Sequence, residues 1–81
     1  MASINFEEIN RTKSMGNYGK EKITMDVIAR VLGEGLEFPL KVSFDDGLVF
    51  YDKEYVRRQL RNEGLSTMFR ISLRNWMGER V

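Results

Sequence analysis

The side chains most able to do chemistry in this chain are few. It contains no histidine and no cysteine, so it has no group that titrates near neutrality unperturbed, no thiolate nucleophile, and no imidazole or thiolate metal ligand. A Ser-His-Asp relay is excluded on the same ground. The nearest thing to an acid–base pair is Asp45-Asp46. It stands directly before Gly47, where aspartate favours a turn because its carboxylate bonds to nearby backbone N–H groups. Magnesium held by one or two carboxylates needs substrate phosphates and waters to complete it, and no acid-x-lysine spacing after a strand supports such a site. The glycine runs Gly33-Glu34-Gly35 and Gly16-Asn17-Tyr18-Gly19 lack the Lys-Ser/Thr of a phosphate loop and the third glycine of a dinucleotide loop; both read as turns. The expectation is a chain that is not an enzyme and needs no cofactor or metal.

A second set of chemically capable residues is cationic. Net charge is +1, yet residues 1–40 carry five basic and six acidic side chains, while residues 41–81 carry eight basic and six acidic. Seven of those eight follow Asp52, and six are arginine: Arg57, Arg58, Arg61, Arg70, Arg74 and Arg80. The planar guanidinium pairs bidentately with carboxylate or phosphate and stacks on aromatic faces. The expected partner-binding set is Arg57, Arg58, Arg61, Arg70, Arg74 and Trp76. The competing reading is a solvated face balanced by Asp52, Glu54, Glu63 and Glu79, with Trp76 in or at the edge of the core.

The elements that position these residues follow from apolar periodicity. Lys20–Leu32 alternates, with Ile23, Met25, Val27, Ala29 and Val31 on one side, which predicts a strand; a helix capped by Thr24 and closed by Gly33 competes. Leu36–Phe44 alternates again, and its Pro39 must sit at an edge, a bulge or an unpaired position because it has no N–H to donate. Asp45-Asp46-Gly47 supplies a turn, and LVFYD extends beyond it. Asp52 then caps a helix over Lys53–Glu63, stopped by Gly64, with Tyr55, Val56 and Leu60 facing the sheet and Glu54 pairing with Arg58. The last segment is strand or helix; the helical reading caps at Ser66, stacks Leu65, Phe69, Leu73 and Trp76 or Met77, and stops at Gly78. SINFEEIN opens a short helix capped by Ser3, and NRTKSMGNYG is a mobile polar loop.

These elements form one α+β domain spanning 1–81: a three-stranded antiparallel meander packed with one or two C-terminal helices and a short N-terminal segment. The order helix, three strands, helix resembles the double-stranded-RNA-binding domain in topology alone. The last helix of that family starts basic and alanine-rich, whereas DKEYVRRQLRN starts acidic without alanine, and no residue role is carried over. VRRQLRNEGLSTMFRISLRNW loosely resembles a helix-turn-helix, with Glu63 and Arg70 where packing wants apolar side chains.

The absence of crosslinking cysteines, of an apolar leader and of any long apolar span leads to an expectation of a soluble, cytoplasmic protein without a membrane partner. Three binding functions remain. The first is a small protein-docking inhibitor or regulator of a larger cytoplasmic complex, nucleic-acid-processing machinery included, of the general character of bacteriophage-encoded inhibitors such as anti-CRISPR proteins. The five methionines suit it, since methionine adapts to irregular contact surfaces. The second is direct binding of RNA or DNA through the arginines. The third is a homo-oligomer joined through an open sheet edge.

Overall fold

Alternation of apolar and polar residues carries through residues 21–32 and 36–45, and both segments become strands. The computed structural model describes residues 3–16 and 19–80. Its elements are β1 (Ser3–Met15), β2 (Glu21–Leu32), β3 (Leu36–Asp45), β4 (Leu48–Phe50), α1 (Lys53–Leu60) and α2 (Glu63–Arg80). The strands form one antiparallel sheet in the order β1-β2-β3-β4, and both helices lie on one face of it, so the α+β class and the antiparallel meander expected from the sequence are present.

The turns follow from backbone sterics. Asp46 and Gly47 both take positive φ, 51° and 79°, between the paired residues Asp45 and Leu48. This is the two-residue hairpin geometry whose twist matches that of the strands it joins. Pro39 lies opposite Ile28 of β2, in the part of β3 beyond the reach of β4, which pairs only with Ser43–Asp45. Its carbonyl accepts a bond from the Tyr55 hydroxyl at 2.8 Å. The proline thus pairs with β2 but has no strand on its other side, the side from which an N–H is not missed.

The buried face of the sheet supplies Met25, Val27, Ala29, Val31, Phe38, Leu40 and Val42, α1 supplies Val56 and Leu60, and α2 supplies Phe69, Leu73 and Met77. Phe69 is the hub. Its ring meets Phe6 edge-on at 5.3 Å, stacks on Phe38 at 5.8 Å and tilts against Tyr51 at 5.8 Å. The opposite face is open, crossed by polar rows such as Asn5, Arg30, Glu37 and Thr12, Thr24, Ser43, and bears the exposed Leu48 and Phe50 at its β4 edge. On it Arg30 bridges Glu7 at 2.9 Å and Glu37 at 3.6 Å.

Several local expectations are corrected. SINFEEIN is not a capped helix: it opens β1, which adds a fourth strand to the sheet and removes the helix-first order on which the RNA-binding-domain resemblance rested. Asn10–Met15, expected in a mobile loop, continues the same strand, while Asn17 and Tyr18 of that loop lie outside the described residues. The cause is tertiary. Ile4 and Phe6 pack against the core from positions paired with Val31 and Ala29, and pairing along all of β2 outweighs the weak local helix signal.

Helix α1 ends at Leu60, short of the expected Glu63. Arg61 takes the left-handed conformation (φ 55°) and donates its N–H to the Arg57 carbonyl at 2.9 Å, the closing role the sequence assigned to Gly64. Gly64 instead lies in the first turn of α2. That helix is capped by Asn62, whose Oδ1 accepts from Leu65 N at 3.0 Å, and not by Ser66, whose hydroxyl donates to the Asn62 carbonyl at 3.1 Å. Nor does α2 stop at Gly78; it continues to Arg80. The Asp52 cap is as expected, accepting from Tyr55 N at 3.1 Å, but Glu54 pairs with Arg57 at 3.2 Å and not with Arg58.

Candidate functional site

The carboxylates of Asp45 and Asp46 are engaged differently. Asp45 is buried, its Oδ1 has no hydrogen-bond partner among the described residues, and its side chain sits where a Cβ on Gly16 would fall. Asp46 points outward and pairs with Lys20 at 3.0 Å. The pair caps the end of the sheet and terminates a hairpin. Among the described residues no group of three or more acids, histidines or cysteines is arranged to hold a metal ion, and no helix is long and apolar enough to cross a membrane.

The cations form a more coherent arrangement. On α2 the buried stripe is Phe69, Leu73 and Met77. Arg70 and Arg74, one residue after the first two of these, flank that stripe on the side facing β4 and the start of α1. On α1 the buried residues are Val56 and Leu60, and Lys53 and Arg57 flank them on the side facing α2. Two adjoining depressions result. One is lined by Lys53, Arg57, Ser66, Thr67 and Arg70, the other by Leu48, Lys53, Arg70, Ile71 and Arg74, with Tyr51 at the floor of both. Arg57 is engaged by Glu54, whereas Lys53, Arg70 and Arg74 take part in none of the ion pairs among the described residues.

Apolar surface borders these charges. Leu48 is 58% exposed and Ile71 53%; Ile71 lies on the side of α2 opposite the buried stripe, so nothing within the fold covers it. Burial pushes the Tyr51 phenol above its ordinary range, and the positive charge of Arg70, which lines both depressions with it, partly offsets this.

The structure thus brings Arg57, Arg70 and Arg74 of the expected set to one surface. Arg58 projects from the far side of α1 and Arg61 forms the turn between the helices; neither lines the two depressions. Trp76 is on the other flank of α2, its ring 5.5 Å from Phe6 and covered by the Arg80 guanidinium at 4.6 Å. Half-buried there, it belongs to the edge of the core. Lys53, Leu48, Tyr51 and Ile71 were not singled out by sequence. Ile71 alone carried a signal, as an apolar residue half a turn off the stripe set by Phe69 and Leu73.

No protein-family model, curated protein or solved structure matches this chain.

Proposed function

We propose that this protein is a non-enzymatic docking module: a small inhibitor or regulator that seats the α1–α2–β4 surface against an acidic, partly apolar patch on a larger cytoplasmic protein assembly. The observation that carries the reading is the juxtaposition of Lys53, Arg70 and Arg74, without carboxylate partners among the described residues, with the exposed side chain of Ile71. Uncompensated charge next to solvated apolar surface is the usual makeup of a protein interface, where arginine is over-represented and desolvated apolar contacts supply the affinity.

Direct nucleic-acid binding through the same cations is the alternative. It would draw on phosphate neutralisation together with stacking on exposed aromatic rings. The aromatic side chains expected to stack are engaged elsewhere: Phe69 is fully buried and Trp76 is sandwiched between Phe6 and Arg80. The exposed apolar side chain of Ile71 beside these cations serves a protein partner better than a phosphate backbone.

The test is tagged purification from the native host with nuclease treatment, followed by mass spectrometry. The expected result is a stoichiometric protein partner that survives nuclease. Recovery of nucleic acid alone, lost on nuclease treatment together with all else, overturns the proposal in favour of the alternative.

A further inference from the structure

The longest strand of the sheet is also its edge. β1 runs for 13 residues and, among the described residues, pairs with β2 on one side only, so no described strand takes up the N–H and C=O groups of its other side. An edge of this kind templates addition of another strand unless something blocks it. Two features of β1 select what can be added. Its register shifts between Glu8 and Asn10, a β-bulge at Ile9. Its charges are also divided, Glu7 and Glu8 before the bulge and Arg11 and Lys13 after it.

The bulge switches which residues face the helices. Before it Ile4, Phe6 and Glu8 share the helix-side face with Val31, Ala29 and Val27; after it Arg11 and Lys13 share that face with Met25 and Ile23. A regular strand follows β1 through this change of phase only by leaving one residue of β1 unmatched, as β2 does at Ile9. A second copy of β1 leaves none. Antiparallel pairing about a two-fold axis between Ile9 and Asn10 sets bulge against bulge and keeps every helix-side residue opposite another helix-side residue.

We infer that this chain forms a two-fold dimer by antiparallel pairing of β1 with β1 of a second copy, giving one continuous eight-stranded sheet. The register is specific: Glu8 opposite the partner's Arg11, Phe6 opposite the partner's Lys13, and Ile4 opposite the partner's Met15. Each row is complementary. Within one chain Arg11 Nη2 already bonds Glu8 Oε1 at 2.8 Å, so the dimer assembles two such pairs into an alternating four-charge cluster across the axis. Lys13 of the partner comes over the Phe6 ring, beside Trp76, an arrangement that favours a cation. Met15, 74% exposed in the single chain, meets Ile4. Pairing shifted by two residues would put the bulges out of phase and set Asn10 on one face against Arg11 on the other. The edge lies across the sheet from β4, so both basic docking surfaces stay free in the dimer, and the inference stands independently of the proposed function.

The test is molar mass by light scattering and sedimentation over a concentration series, on the wild type and on E8R and R11E separately and mixed. The wild type is expected to be a dimer. E8R places four cations at the axis and R11E four carboxylates, so each alone is expected to dissociate with a Kd raised by at least about tenfold. An equimolar mixture of the two is expected to form a 1:1 heterodimer even though the pair within each chain stays broken. A monomeric wild type at every concentration up to about 1 mM overturns the inference. So does a dimer that persists undiminished in both single variants, or a mixture that shows no association. Because the readout uses pure protein, its failure leaves the docking surface untouched.

Discussion

Phe69→Ala is expected to remove most of the stability of the fold, a loss of about 3–5 kcal/mol on truncation of a buried aromatic. The ring is fully buried and touches Phe6 from β1, Phe38 from β3 and Tyr51 beyond β4. Its deletion therefore opens a void at the point where α2 meets three separate parts of the sheet. A domain of this size is stabilised by only about 4–12 kcal/mol in total, so the variant should be largely unfolded at moderate urea. Denaturant titration followed by circular dichroism measures it. Phe69→Leu, which retains most of the volume, should cost about 1–2 kcal/mol. A Phe69→Ala variant that loses less than about 1 kcal/mol would show that the helices are not anchored through this ring.

Reversal of Arg70 and Arg74 together to glutamate is expected to do the opposite: leave the fold intact and abolish docking. Both side chains are exposed and neither takes part in an ion pair among the described residues, so their exchange should change stability by no more than about 0.5 kcal/mol each. Against an acidic partner surface the substitution converts two attractions into two repulsions, and an affinity loss of about a hundredfold or more is expected. Binding of the co-purifying partner, measured by calorimetry or surface plasmon resonance beside a urea melt of the same sample, separates the two effects. The corresponding reversal of Arg58, on the far side of α1, should leave affinity within about threefold of wild type.

How much of this was legible in the sequence depended on whether a residue's neighbours lie near it in the chain. β2 and β3 announce themselves through strict alternation from Ile23 to Val31 and from Leu36 to Phe44. The hairpin at Asp46-Gly47 and the Asp52 cap are decided within four residues, so local chemistry suffices for them. β1 was not readable in this way. Its apolar residues stop at Phe6 on the buried face, and the bulge at Ile9 breaks the alternation that would have revealed a strand of 13 residues. The junction between the helices was misread because Gly64 and Ser66, expected as stop and cap, stand two and four residues beyond Asn62, which was not weighed as a cap. Asn62 prevails because its side chain reaches the free Leu65 N–H, while Arg61 accepts a left-handed backbone that glycine would adopt more easily.

The candidate surface was half legible for the same reason. The arginine-rich composition after Asp52 marked the region, but composition does not say which side of a helix a charge occupies. Once Phe69, Leu73 and Met77 are fixed as the buried stripe, helical geometry places Arg70 and Arg74 on one flank and Trp76 on the other. Leu48 joins them only at the rim of the depression that Arg70, Ile71 and Arg74 line, a relation that no spacing within the sequence encodes.

Site-specific photo-cross-linking tests the docking surface most directly. A photoreactive residue is installed singly at Thr67, at Ile71, and at Thr24 on the open face of the sheet, and each is irradiated in native extract. One shared protein adduct is expected from the Thr67 and Ile71 positions and none from Thr24. An adduct with a stoichiometric partner from Thr24 alone would contradict that expectation and place the binding surface on the open face of the sheet.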